Sequence, residues 1–314
     1  MARAFIFPGQ GSQAVGMGKA LAEAFASARE VFEEVDETLK QKLSKLMWEG
    51  PESDLVLTEN AQPAIMAASY AAIRALQKEG GLDFAGHARL AAGHSLGEYT
   101  ALAAVGAFTL SDAARLLKTR GRAMQEAVPV GEGAMSALLG IEIEAAEAAA
   151  REAAAQGGIC VVANDNAPGQ VVISGSAATV ARAGEIAKTK GAKRALPLAV
   201  SAPFHCPLMK SAADTMREAL AGVTIRPPAI PIVANVTAAE VSEPESIRRL
   251  LVEQVTGRVR WRESVAAFRN LGVDTTVEAA GNKVLTGMVK RIDKELQTIA
   301  LDTPADIEAF AKSL

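Results

Sequence analysis

Residues 89–104 read RLAAGHSLGEYTALAA: an apolar run, then Gly93-His94-Ser95-Leu96-Gly97, then apolar residues at helical spacing. A strand that meets a helix through Gly-x-Ser-x-Gly makes a sharp elbow, in which the glycines permit the turn and the serine hydroxyl stands exposed at the helix N-terminus. This reading sets the motif in an α/β protein and makes Ser95 a candidate nucleophile. The plainer alternative is a serine that caps a tight strand-to-helix turn.

Working outward, the short apolar runs AFIF (4–7), IPIVAN (230–235) and TIAL (298–301) alternate with long helical patterns, as in a mainly parallel sheet. Between Gly133 and Pro197 the rhythm changes to strand AMSALLG, helix IEAAEAAAREAAA, strands ICVVAN and QVVISG, helix SAATVARAGEIAKTKG and strand KRALPL. The order βαββαβ is that of a ferredoxin-like unit. The expectation is a small ferredoxin-like domain, residues 131–198, inserted into a large α/β-hydrolase-like domain made of residues 1–130 and 199–314. A cleft between the two is the expected place for a small-molecule site.

Composition narrows the classes. The 314 residues are 49% hydrophobic and 22% charged, enough for a sizeable core, and the net charge of −3 argues against a surface that coats nucleic acid. No apolar run reaches the roughly 18 residues of a membrane helix, and the N-terminus lacks the order of a secretory signal, so a cytoplasmic protein without a membrane partner is expected. Cys160 and Cys206 lie far apart without metal-ligand spacing, and with only three histidines a His-cluster metal site is not expected.

Near the start, FPGQGSQAVG (7–16) fits the glycine spacing of a dinucleotide-binding turn. That reading needs a second strand ending in an acid about 20 residues on. Residues 19–40 instead place Leu21, Phe25, Ala28, Val31, Phe32 and Val35 on a helical stripe, so the loop calls for another explanation.

A serine hydroxyl needs a base. His94 leaves the sharp turn in a different direction from Ser95, and His87 sits in the polar stretch GLDFAGHAR; His205, in SAPFHCPLM after the small domain, remains. Its alternative is a satisfied core histidine, and Cys206 beside it is read as a spectator. In SDAARLLKTRGRAMQEA, Ala113, Leu117 and Met124 form an apolar stripe with Arg120 in line, while Arg115, Lys118 and Arg122 share another face. An inward arginine needs an anionic partner, either a structural carboxylate or a ligand's.

The segments GQGSQ, GHSLGEY, RGRAMQ, NAPGQVVISG and SAPFHCPLM occur in the order and spacing of malonyl-CoA:acyl carrier protein transacylases, and the chain resembles that family along essentially its whole length. The resemblance implies Ser95 as the acyl-accepting nucleophile and His205 as its base. It implies the main-chain N–H groups of Gln10 and Leu96 as the oxyanion hole, which would explain the N-terminal glycines. It implies Arg120 as the grip on the free malonyl carboxylate and the main-chain carbonyl of Gln254 as the group orienting the histidine, where α/β-hydrolases use an acid.

The implied reaction moves malonyl from malonyl-CoA to the phosphopantetheine thiol of an acyl carrier protein for fatty acid elongation, with no cofactor or metal of the enzyme's own. A monomer is expected. Phe204 and Leu96 resemble the malonyl-selecting pattern. The family's glycine-proline-glycine turn is replaced within Glu278–Leu285, which puts local loop geometry in question. Because carrier proteins are typically acidic, a docking patch is expected among Lys188, Lys190, Lys193, Arg194, Arg258, Arg260 and Lys283.

Overall fold

The structure is a computed structural model that describes residues 2–200 and 202–314. Its main sheet has six strands in the order β10-β9-β1-β2-β7-β8. They span Arg3–Phe7 (β1), Leu90–Gly93 (β2), Ile232–Ala234 (β7), Ala239–Val241 (β8), Thr275–Ala279 (β9) and Gln297–Leu301 (β10). All pairings are parallel except β7 with β8. Every residue of β1 and β2 is buried, as expected of parallel strands covered on both faces. The pleat sends Phe5 and Phe7 into one core and Ala4 and Ile6 into another on the opposite face.

The register sets the site. Phe7 lies opposite Gly93, so the loop after β1 and the elbow after β2 leave the carboxyl edge side by side. The His94 N–H donates to the Phe7 carbonyl at 2.9 Å and continues the pairing past the strand end.

The second sheet is antiparallel, β4-β5-β3-β6, from Gly133–Leu139 (β3), Cys160–Ala167 (β4), Gln170–Ser176 (β5) and Arg194–Pro197 (β6). The helices Ile143–Ala155 and Ala177–Thr189 share with it a hydrophobic core drawn from residues 134–195 alone. Two register shifts in β4, between Val162 and Asn164 and between Asp165 and Ala167, interrupt the ladder beside Asn164 and Asn166. The sheet is joined to the larger body where Val259 N–H donates to Ala163, Asp165 N–H donates to Val259, and Arg262 Nε reaches both carboxylate oxygens of Asp165 at 3.0 and 2.9 Å.

Two local readings change. The stripe over residues 19–40 is two helices, Lys19–Ala24 and Ala26–Leu39, because Phe25 turns to an extended conformation and serves as the end of one and the start of the next. His87 belongs to a one-turn helix, Phe84–His87, with Nδ1 against the Asp83 carbonyl. Among the described residues no helix is long and apolar enough to cross a membrane.

Candidate active site

Steric necessity builds the elbow. A Cβ on Gly93 would lie 1.9 Å from the Gly97 carbonyl oxygen, and one on Gly97 would lie 2.2 Å from that of Phe7. Ser95 between them has φ 53° and ψ −111°, a conformation rare for a residue with a side chain. Asn235, just after β7, holds it: Oδ1 accepts from the Ser95 N–H at 2.7 Å and Nδ2 donates to the Gly93 carbonyl at 2.7 Å.

The loop after β1 presses on this turn. A Cβ on Gly9 would meet the His94 carbonyl oxygen at 2.7 Å, and Gly11 has φ 102°. The Gln10 N–H donates to no described residue, and Leu96 opens its helix, so its N–H has no intrahelical acceptor. Both residues line one cavity with Ser95. The Gln10 side chain is tied back by Thr58 Oγ1, which donates to its Oε1 at 2.9 Å.

His205 arrives on the turn after the small sheet, also at positive φ, and its Nε2 lies 2.7 Å from Ser95 Oγ. Its Nδ1 faces the main-chain carbonyls of Gln254 at 2.9 Å and Gly257 at 3.1 Å. Carbonyls only accept, so Nδ1 carries the proton and Nε2 is free to accept the serine's. They are available because the helix Pro244–Thr256 ends there and its last carbonyls have no intrahelical donor. Burial, with the nearby Arg120 charge, pushes the His205 pKa down to about 3.

Arg120, on the Leu110–Glu126 helix, is 1% exposed. Nη1 donates to Gln62 Oε1 at 2.8 Å, and Nη2 donates to Gln254 Oε1 at 2.8 Å and to Ser95 Oγ at 3.1 Å. Nε is buried without a partner, and among the described residues no carboxylate lies within ion-pair distance of the guanidinium. A fully buried cation hydrogen-bonded directly only to neutral groups, beside a serine in a cavity, has the chemistry to receive an anion. The neighbouring Arg115, Lys118 and Arg122 pair outward with Asp112 and Glu59.

The cavity measures about 420 Å³ and lies between the sheets: Gln10, Ser95, Arg120 and His205 from the larger body face Met135 and Asn166 from the smaller. His94 also lines it, with Nε2 2.8 Å from Asn166 Oδ1 and its ring 5.7 Å from that of Trp261. Phe204, 8% exposed, is part of the wall.

The structure thus gathers Gln10, Ser95, Leu96, Arg120, His205 and Gln254 at one place. Sequence reading missed Gln62, Asn235 and the Gly257 carbonyl. Of these only Asn235 carried a signal, as the polar end of the run IPIVAN beside β2. It also missed His94 as a cavity residue.

The replaced turn keeps left-handed backbone at Ala280, Asn282 and Lys283, with φ of 52°, 52° and 62°. Asn282 Nδ2 donates to the Ser12 carbonyl at 2.9 Å, fastening the turn to the Gln10 loop. Glu278 caps the following helix by accepting from Leu285 and Thr286 N–H at 2.9 and 2.7 Å.

Four of the seven basic residues in the expected docking patch are already paired: Lys188 with Glu185, Lys190 with Glu152, Arg258 with Glu147 and Arg260 with Glu263. Lys193, Arg194 and Lys283 have no ion-pair partner among the described residues.

A mainly parallel α/β sheet carrying a serine–histidine pair beside a buried guanidinium fits the class of acyl-transferring enzymes. The chain is a member of the acyl transferase domain family, whose model matches residues 4–304, and within it of the malonyl-CoA:acyl carrier protein transacylases. It is 46% identical to the malonyl CoA-acyl carrier protein transacylase of Bacillus subtilis (strain 168), over 99% of this chain and 96% of that protein. The crystal structure of acyl-carrier-protein-S-malonyltransferase from Bartonella henselae superposes with a TM-score of 0.97 at 51% identity, covering 100% of this chain and 99% of the other. A malonyl-transacylase solved in complex with its type II PKS acyl-carrier protein matches with a TM-score of 0.96 at 43% identity over the whole of both chains.

Proposed function

We infer that this enzyme transfers the malonyl group from malonyl-CoA to the phosphopantetheine thiol of an acyl carrier protein through a malonyl-serine intermediate, supplying fatty acid elongation. The observation that carries the reading is Arg120: a buried guanidinium with no carboxylate in direct contact, bonded to the same oxygen, Ser95 Oγ, that His205 contacts. The names and partners of the family's relatives support it.

In the proposed reaction Arg120 receives the malonyl carboxylate. His205 Nε2 takes the Ser95 proton as Oγ attacks the thioester carbonyl, and the N–H groups of Gln10 and Leu96 receive the oxyanion. The carbon–sulfur bond breaks and the proton passes from His205 to the CoA sulfur. A thiol with a pKa near 8.5 is an easy leaving group, so a histidine oriented by carbonyls suffices as base. The carrier's thiol then gives its proton to His205 and attacks the malonyl ester; the carbon–oxygen bond breaks, His205 returns that proton to Ser95 Oγ, and the malonyl group leaves on the carrier. Acyl exchange between a thiol and a hydroxyl uses no electron carrier, and a cofactor-free enzyme follows from that chemistry.

The strand order β4-β5-β3-β6 with both helices in one core supports a ferredoxin-like insert, residues 131–198, in a large α/β-hydrolase-like domain of residues 1–130 and 199–314. Lys193, Arg194 and Lys283 are the candidate carrier contacts, and a monomer acting in the cytoplasm fits a soluble carrier. Intact-mass spectrometry after brief exposure to malonyl-CoA tests the reading. A malonyl adduct on wild type, absent from Ser95→Ala and discharged by holo carrier protein, is expected; an adduct lost equally fast to water would make the enzyme a hydrolase.

A further inference from the structure

One buried ionisable group has no part in the chemistry above. Glu98, 2% exposed, lies in the first turn of the helix that Ser95 begins. Its Oε2 accepts from the Asn235 N–H at 3.1 Å and from Gln254 Nε2 at 2.8 Å. The other end of the Gln254 amide accepts from Arg120 Nη2 at 2.8 Å. A guanidinium can only donate, so the amide oxygen faces Arg120 and the NH2 faces Glu98. A single amide therefore bridges the carboxylate and the guanidinium.

Around Glu98, the titratable or charged groups are Tyr99 on its own helix and Arg120 on Leu110–Glu126; Asn235 and Gln254, which bond it, do not titrate, and His205 bonds the far side of Gln254 through that residue's main-chain carbonyl. The Arg120 guanidinium lies 5.6 Å from the centre of the Tyr99 ring, whose hydroxyl burial keeps neutral. His205 is held neutral as described. Above about pH 7 Glu98 is thus a negative charge that faces Arg120 through the Gln254 amide in the free enzyme.

We propose that Glu98 is the resident counterion of Arg120 and takes up a proton when the malonyl carboxylate takes over that role, so that malonyl loading is coupled to protonation of the enzyme. Two carboxylates around one guanidinium would leave a net negative charge in a buried site, and protonating the carboxylate without direct contact removes it. Burial already brings Glu98 to about 7 in the free enzyme, so a second negative charge nearby is enough to drive the change. The bookkeeping closes: the serine proton goes through His205 to the CoA sulfur, the added proton comes from solvent, and it returns to solvent when malonyl leaves on the carrier thiol.

The proposal rests on the malonyl-serine reading, and the test separates the two. Wild type and Glu98→Gln are mixed with one equivalent of malonyl-CoA in lightly buffered indicator dye, with intact mass recorded in parallel. Subtracting the Glu98→Gln trace removes ionisation of the released CoA thiol. The remaining uptake per malonyl-serine should rise from a small fraction of a proton at about pH 6 to most of a proton at about pH 8. If Glu98→Gln does not fold, acetyl-CoA on wild type replaces it as the comparison, since an acetyl group brings no carboxylate and should cause no uptake. Malonyl-serine formed with a trace no different from the comparison overturns the proposal alone. No malonyl adduct overturns the site reading and this proposal with it.

Discussion

The Nδ1–H of His205 points between two main-chain carbonyls, those of Gln254 at 2.9 Å and Gly257 at 3.1 Å, where a serine hydrolase triad would place an acid. These carbonyls lie at the negative end of a helix dipole, which orients the ring without a full charge. Because burial and Arg120 depress the His205 pKa to about 3, the base is unprotonated throughout the mildly acidic range. The kcat/KM for malonyl-CoA should therefore show no acid limb at about 6.5, the ordinary histidine value. A pH–rate profile with such a limb would sink this assignment. For stability the sign is the same as that of a paired carboxylate, because both have a depressed folded-state pKa: between about 6.5 and about 3 the unfolded chain binds the proton that the buried ring refuses, so His205 makes the fold weaker as pH falls.

Glu98 carries the reverse sign. Its pKa is raised from 4.5 to about 7, so the folded state binds more protons in that window and loses stability as pH rises through it. Replacing Glu98 by Gln removes the titration. Unfolding free energies from denaturant titrations should move in the variant's favour by on the order of 2–3 kcal/mol between about pH 4.5 and about pH 8. A constant gap between variant and wild type would refute it.

Arg120→Lys tests the anion anchor. A lysine cannot donate in one plane to Gln62, Gln254 and Ser95 as the guanidinium does. We expect kcat/KM for malonyl-CoA to fall by on the order of 10²–10³, with acetyl-CoA loading much less affected. An equal loss for both donors would mean that Arg120 serves the fold or the nucleophile and not the carboxylate.

Two glycine substitutions should move stability in opposite directions. Gly97→Ala forces a Cβ to within 2.2 Å of the Phe7 carbonyl oxygen, where backbone meets backbone, and should cost about 3 kcal/mol or more. Gly287→Ala, in the Val284–Ile292 helix with nothing within 4 Å of the new Cβ, should add roughly 0.5–1 kcal/mol. Thermal melts of both variants read the contrast.

The parts of the molecule legible in the sequence are those fixed by local rules. Ser95 was readable because only glycines fit at 93 and 97, and the inward aim of Arg120 because helix phase is periodic. β9 was hidden: Thr275, Thr276 and Glu278 are buried polar residues in a strand that the eye seeks by its apolar pattern. Gln62, Asn235 and the Gly257 carbonyl escaped because their roles exist only through contacts with residues distant in the chain. A carbonyl oxygen has no sequence signature at all; only the helix end that leaves it free could have pointed to it.

The central strand β1 is flanked by β2 on one side and by β9, residues 275–279, on the other. A ribosome delivers β2 soon after β1 but β9 only much later in the chain. Until then Arg3–Phe7 offers an open, apolar hydrogen-bonding edge, the kind that recruits other chains. The strand that sets the Gln10 loop against Ser95 is therefore also the one whose exposure during synthesis lasts longest, and chaperone dependence in the newborn chain would concentrate there.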